Sequence, residues 1–150
     1  MLPLESVPNV SEGRDEVTIG ALAAAFSSFG TRLLDVHSDA DHHRSVFTLV
    51  GGDAALVQSL VAGIAAAQER IDLRRHDGVH PRVGAADVVP VVPLAAGDMG
   101  RAQAAAVEVA RRVGEELELP VFLYAESGAG RRPAFFRRGG PDELQRRVDA

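Results

Sequence analysis

Three long segments of the chain have apolar residues at helical spacing, which predicts helices over residues 15–29, 54–73 and 99–117. In such a segment, positions i, i+3, i+4 and i+7 lie along one face and form a buried stripe. The three stripes consist of Leu22, Ala25, Phe26 and Phe29; of Leu56, Val57, Leu60, Val61, Ile64, Ala67 and Ile71; and of Met99, Ala102, Ala106, Val109, Val113 and Leu117. Gly30 is expected to close the first helix, and Asp53 and Asp98 to cap the other two.

Shorter apolar segments predict five β-strands, over residues 4–10, 31–36, 45–50, 88–94 and 121–124, the fourth of them interrupted by Pro90. The first six elements follow the split β-α-β order of ferredoxin-like folds. The predicted fold class is therefore α+β: a two-layer α/β sandwich, with a mixed sheet, helices on one face, a ferredoxin-like βαββαβ core and an added helix and strand. Residues 127–150 are expected to be irregular, apart from a short helix over residues 141–148.

The strands over residues 45–50, 88–92 and 121–124 are apolar at nearly every position. Continuous apolar strands are usually buried on both faces of their sheet. Because three helices would cover one face, the other face is expected to pack against a partner or a second copy of the chain. This argument predicts a homodimer.

The chain has 150 residues, of which 46% are hydrophobic and 25% charged, as in an ordinary globular domain. We therefore expect one domain over residues 1–150. The formal net charge of −5 argues against nucleic-acid binding. The absence of cysteine excludes disulfides, thiolate nucleophiles and cysteine metal sites, and the absence of lysine excludes Schiff-base chemistry.

The N-terminal residues have no basic and apolar regions of a signal peptide, and no apolar run approaches the roughly 20 residues of a membrane span. We accordingly expect a cytoplasmic protein without a membrane segment.

Five histidines lie in two polar loops, over residues 37–43 and 76–80. His80 lies between Gly78, which allows backbone angles that other residues avoid, and Pro81, which fixes the adjacent backbone. It is a candidate general base because histidine titrates near neutral pH. The alternative is an ordinary exposed histidine. The spacing of His76 and His80 suits a helical metal-ligand pair, but the same glycine and proline disfavour a helix there, so we predict no metal.

Several arginines flank these loops and the first turn, and guanidinium groups bind carboxylates through two parallel hydrogen bonds. They are Arg14, Arg44, Arg74, Arg75 and Arg82. The loop over residues 8–14 leads into a helix N-terminus, which favours an anion, although Ser11 could simply cap that helix. Together these features suit a small carboxylate substrate and a histidine base.

Four segments resemble glutamate formiminotransferases. VPNVSEGR over residues 7–14 is similar to the family's N-terminal VPNFSEG signature. LLDV over residues 33–36 and DADHHRSV over residues 39–46 are similar to LLDV…DADHNRSV. The long block over residues 71–90 resembles LIDMRxHxGEHPRMGAxDVxPxxP, and LPVFLY over residues 119–124 is similar to IPVYLY.

The resemblance implies transfer of a formimino group from N-formimino-L-glutamate to tetrahydrofolate, which acts as co-substrate. It places the catalytic histidine at His80, where it would take the proton from folate N5. Asn9 and Arg44 fall on motif positions and become candidates for substrate contacts. Arg82 would bind a carboxylate or hold its loop.

The sequence departs from the family pattern at residues near these sites. Val79 replaces a glutamate, His37 stands where aspartate is common, and His43 stands where asparagine is common. We retain His37 and His43 as candidate substrate-binding residues.

The family's transferase unit has two similar subdomains whose sheets face each other, and 150 residues correspond to the first of them. The chain is therefore expected to pair with a separate C-terminal-subdomain chain or with itself. The alternatives are a non-catalytic folate- or carboxylate-binding module and a metal-dependent enzyme.

Overall fold

A computed structural model describes residues 1–75 and 84–123. The strands are β1 (Leu4–Ser6), β2 (Asn9–Val10), β3 (Arg32–Asp39), β4 (Arg44–Gly51), β5 (Ala86–Val88) and β6 (Val91–Pro93). The helices are α1 (Glu16–Phe26), α2 (Asp53–Arg70) and α3 (Met99–Glu116). Short 3₁₀ turns follow α2 at Leu73–Arg75 and precede α3 at Ala96–Asp98. Within the described ranges, none of the helices has the length and hydropathy needed to cross a bilayer.

The predicted α+β class is confirmed, but the predicted mixed sheet is wrong for the described strands. β1 pairs with β4 and β6, β2 pairs with β4 and β5, and β3 pairs with β4, each in antiparallel register. The segment formed by β1 and β2 therefore lies between β4 and the segment formed by β5 and β6. β3 borders β4 on its other side.

Two prolines divide the predicted first and fourth strands into the shorter strands observed. Pro8 separates β1 from β2, and Pro90 separates β5 from β6, because proline has no N–H for the ladder. The carbonyl groups of the two prolines still accept hydrogen bonds from neighbouring segments. Phe47 N–H donates to Pro8 O at 3.0 Å, and Val7 N–H donates to Pro90 O at 3.3 Å. The two segments consequently stay side by side across both breaks.

The predicted strand over residues 121–124 is not observed in its described part, since residues 121–123 have no regular secondary structure. Tyr124 lies outside the described residues. So do residues 127–150, which include the predicted helix over residues 141–148.

The three helices pack on one face of the sheet, around a core that includes Leu4, Val10, Phe47 and Leu49. The Phe26 ring of α1 lies 5.1 Å from the Phe47 ring of β4, centroid to centroid. Six of the seven predicted stripe residues of α2 are buried, whereas Ile71 lies just past the end of the helix and is half-buried. In α3 the sequence pattern predicted Ala106 as a buried residue of the stripe, but the buried residue is its neighbour Ala105.

The first helix is shorter than predicted, and Phe29 lies outside its stripe. α1 ends at Phe26 with Ser27 as C-cap, and both Phe29 (φ 58°) and Gly30 (φ 84°) adopt left-handed backbone conformations. At its start, Asp15 accepts hydrogen bonds from Val17 N–H and the Thr18 hydroxyl. The Thr18 bond is the main cause that lowers the Asp15 pKa below its ordinary 3.8. This cap therefore stabilises the fold at neutral pH, and the contribution is lost as the pH falls below that value.

Asp53 and Asp98 do not cap their helices through side-chain hydrogen bonds, contrary to expectation. Both carboxylates bind Arg101 instead, with Nη2 2.5 Å from Asp53 Oδ1 and Nη1 3.0 Å from Asp98 Oδ2. The hydrogen bond from Arg101 lowers the Asp53 pKa. The arginine thereby joins the N-terminal ends of α2 and α3.

The strand over residues 45–50 was predicted to be buried on both faces, but β4 is fully buried on only one face. Ser45, Phe47 and Leu49 are buried, whereas Val46, Thr48 and Val50 on the opposite face are half-buried. Apolar residues thus occupy a face that the described helices do not cover.

Gly63 allows α2 to approach the Phe26 ring closely. A Cβ added there would lie 2.5 Å from Phe26 Cγ and closer still to two other ring atoms. Gly63→Ala should destabilise the fold by up to about 2 kcal/mol, because overpacking costs roughly 1–3 kcal/mol and alanine regains about 1 kcal/mol of helix propensity. Urea denaturation measures this difference.

The exposed Gly20 of α1 is the matched control, since a Cβ there meets nothing within 4 Å. Gly20→Ala should stabilise the fold by about 1 kcal/mol. Combining Gly63→Ala with Phe26→Leu should cost less than the sum of the two single changes. Strict additivity would contradict the steric explanation.

Candidate functional site

Arg44 and Asn9 form the centre of a polar cluster on the sheet face that lies away from the helices. Arg44 is the first residue of β4, and Asn9 is the first of β2, in register with Val46. Arg44 Nε and Nη2 both donate to Asn9 Oδ1, at 3.1 and 2.8 Å. Asn9 Nδ2 donates to the Val7 carbonyl at 2.8 Å. Two predicted site residues, 35 positions apart, are therefore brought into direct contact.

Asp87, which sequence reasoning did not select, completes the cluster from β5. Its side chain is only 2% exposed, and its Oδ2 lies 3.6 Å from Arg44 Nη1. Oδ1 accepts the Gly84 N–H at 3.3 Å. A carboxylate between an alanine and a valine in a short strand is the signal that could have identified it, since buried charges require partners.

The loop between β2 and α1 is joined to both of its neighbours. On one side, Ser11 donates through its hydroxyl to Gly84 O at 2.9 Å and through its N–H to Ala85 O at 2.8 Å. On the other side, the Ser45 hydroxyl donates to the Glu12 carbonyl at 2.5 Å, and Arg14 Nε donates to Ala40 O at 2.8 Å. The loop between β2 and α1 therefore links the β3–β4 hairpin to Gly84 and Ala85, which lie just before β5.

His43 holds the same loop from the hairpin. Its Nδ1 accepts the Gly13 N–H at 3.0 Å and lies 3.5 Å from Glu12 Oε1. With Nδ1 as acceptor, the neutral ring carries its proton on Nε2. The backbone of His43 has φ 54°, a conformation that asparagine adopts more readily than most residues, which agrees with the asparagine common at this motif position.

The other two described histidines are exposed, and they occupy different environments. His37 is in register with Val46, which is in register with Asn9, so all three lie in one row across β3, β4 and β2. Two strand spacings separate His37 from Asn9, about 10 Å. His42 Nδ1 lies 2.7 Å from Asp39 Oδ2 at the hairpin turn. Hydrogen bonds from the His42 backbone and ring are the chief causes that lower the Asp39 pKa.

The predicted base His80, together with His76 and Arg82, lies outside the described residues. Arg74, just before that segment, pairs with Asp72 through a bond of 2.9 Å from Nε to Oδ1. Among the residues that the structure describes, no three histidine or acidic side chains are grouped as a metal site.

The arrangement defines a class of protein, an α+β domain with a polar cluster on the sheet face that the described helices leave uncovered. The cluster presents the Arg44 guanidinium and the Asn9 amide, and neighbouring residues hold both groups in place. Such a cluster suits ligands with hydrogen-bond acceptors. Residues 3–150 match the family described as the N-terminal subdomain of the formiminotransferase domain, and the chain belongs to this family. The earlier interpretation of its four motif segments is thereby confirmed.

Individual relatives agree with this assignment. The glutamate formimidoyltransferase of Thermoplasma acidophilum is 47% identical over 131 residues, which are 87% of this chain and 43% of that protein. The Streptococcus pyogenes protein of the same name is 42% identical over 83% of this chain and 42% of its own length. The formimidoyltransferase-cyclodeaminase of Rattus norvegicus is 38% identical, and the match covers 23% of it. The chain thus spans about two fifths of the two transferases.

Proposed function

We propose that this chain forms the N-terminal half of a catalytic unit that transfers a formimino group from N-formimino-L-glutamate to tetrahydrofolate. The match of residues 3–150 to the formiminotransferase subdomain carries this proposal, because the relatives named above are transferases of this kind. The contact between Asn9 and Arg44 supports it, since both residues fall on motif positions. Tetrahydrofolate is the acceptor and is consumed as a second substrate.

In the proposed reaction, His80 accepts the proton of the attacking folate nitrogen as that nitrogen bonds to the formimino carbon. The bond between this carbon and the glutamate nitrogen then breaks, and the leaving nitrogen takes up a proton. Asn9 and Arg44 would orient the substrate by binding its acceptor oxygens. Arg82, His37 and His43 stay as proposed binding residues, with His43 acting on the loop that precedes α1.

We further propose that the second half of the site packs on the open sheet face. The half-buried Val46 and Val50 and the 38% exposed Val92 support an apolar contact there. A C-terminal subdomain or a second copy of this chain would supply it. The antiparallel strand order, with the first strand segment between β4 and the β5–β6 segment, also supports the ferredoxin-like arrangement.

The decisive experiment measures binding and turnover with the purified chain over a wide range of protein concentrations. Calorimetry would detect binding of tetrahydrofolate and N-formimino-L-glutamate, and mass spectrometry would detect the formimino-folate product. We expect binding of at least one substrate and transfer that increases more steeply than protein concentration if two copies form the site. Absence of binding and turnover at every concentration would refute a site formed by two copies of this chain, and the same result with a C-terminal subdomain present would refute the proposal.

The second candidate is a non-catalytic folate- or carboxylate-binding module. The observation that favours it is the contact between Asn9 and Arg44, because these two side chains can bind an acceptor group without a catalytic base. Binding without turnover, both alone and with a C-terminal-subdomain chain, would support the module over the transferase.

A further inference from the structure

Asp87 is a buried carboxylate with partners on two different elements. Its side chain is 2% exposed, and burying a carboxylate is costly unless it is paired and hydrogen-bonded. Oδ2 faces Arg44 Nη1 at 3.6 Å, and Oδ1 accepts the Gly84 N–H at 3.3 Å. Asp87 therefore connects Arg44 of β4 to Gly84, which lies just before β5.

Arg44 is held along two sides of its guanidinium. Nε and Nη2 meet Asn9 Oδ1, while Nη1 faces Asp87. Because the guanidinium is planar and rigid, contacts on both sides determine its orientation. The two bonds to Oδ1 in turn determine which way the Asn9 amide faces. Asn9 Nδ2 carries two hydrogens, and its bond to Val7 O uses one of them.

We propose that Asp87 is a positioning residue, whose carboxylate holds Arg44 against Asn9 and thereby orients the Asn9 amide to donate its second hydrogen to the substrate. This inference rests on the proposed function in assigning Asn9 to substrate binding. It specifies the chemistry of the bound group, which must be an acceptor such as a carboxylate or carbonyl oxygen. In addition to its proposed contact with the substrate, Arg44 thereby has an indirect role, because it orients the Asn9 amide.

Asp87→Asn is the informative variant, because it removes the charge and keeps an oxygen for the Gly84 N–H. Asp87→Ala removes both functions. Asp53→Asn is the matched control, since Asp53 pairs with Arg101 at the N-terminus of α2, away from the cluster. Arg44→Lys removes the Arg44 Nε–H group, so the arginine signal missing from its NMR spectrum belongs to Arg44.

The readout is hydrogen exchange of arginine Nε–H groups in ¹H–¹⁵N spectra at mildly acidic pH. The chain contains no lysine, so side-chain signals in this region come from its 16 arginines. In Asp87→Asn, exchange at Arg44 Nε should become about tenfold faster, as expected from losing a charge-assisted contact, while Arg101 is unchanged. Asp53→Asn should give the reverse result, with faster exchange at Arg101 only.

Calorimetric titration with N-formimino-L-glutamate and tetrahydrofolate completes the test. Asp87→Asn should weaken the binding of one of them about tenfold, whereas Asp53→Asn should leave both affinities unchanged. If the unmodified chain binds neither, alone or with a C-terminal subdomain, the proposed function fails, and the exchange rates still decide the role of Asp87. If Asp87→Asn lowers the melting temperature but leaves Arg44 exchange within twofold of the original, Asp87 only stabilises the fold and the inference is overturned.

Discussion

Replacing His80 with alanine is expected to lower the rate of formimino transfer by about 10²- to 10⁴-fold, the usual contribution of a positioned general base. Without the imidazole, the folate nitrogen has no acceptor for its proton as it attacks. His80→Gln should lose a similar factor, because glutamine forms hydrogen bonds but does not accept a proton at neutral pH. Initial rates, measured with the second subdomain present if the assay requires it, would test this prediction.

His42→Ala is the control for this experiment. His42 is an exposed histidine at the hairpin turn, where it pairs with Asp39, and we assign it no part in binding or transfer. Its replacement should leave the rate within about twofold. If His80→Ala retained more than a third of the original rate, His80 would not be the base. Unchanged substrate affinity in that variant would then favour the binding-module interpretation.

The helices were the part of the fold that the sequence predicted best, because their signal is local. The stripe of α2 follows the 3.6-residue period, and six of its seven predicted residues are buried. The relative direction of the strands was not predicted correctly, since it depends on contacts between distant segments such as β1 and β6. The mixed sheet was therefore an error that local periodicity could not correct.

The same distinction applies to the site. Residues within short motifs could be selected from the sequence, whereas contacts between distant residues could not be predicted. Asn9 and Arg44 were selected because they belong to motifs, and the fold brings them within 2.8 Å of each other. Asp87 also lies in a motif segment, but it was not selected, because its burial and its contact with Arg44 were visible only in the structure. His43 was identified as a departure from the motif, but its left-handed backbone and its bond to Gly13 were visible only in the structure.

Gly13→Ala is expected to be the most destabilising single change in the described part of the site, at about 3 kcal/mol or more. A Cβ at this position would lie 2.8 Å from the Arg44 carbonyl oxygen and closer still to Arg44 N and Asp39 O. These are backbone atoms of the last residue pair of the β3–β4 hairpin, so they cannot rotate away as a side chain could. Relief requires the loop to move, which would break the bond from Gly13 N–H to His43.

Urea denaturation would measure the loss of stability, and calorimetry would measure the substrate affinity of the fraction that folds. Gly20→Ala, only seven residues later, introduces the same methyl group with nothing within 4 Å and should increase stability. If Gly13→Ala were as stable as the original chain, the close approach of loop and hairpin would be incorrect. If it folded with reduced stability but unchanged affinity, the loop would support the hairpin without orienting the substrate. We expect both stability and affinity to fall, because the Glu12 carbonyl and the Gly13 N–H both bond to hairpin residues next to Arg44.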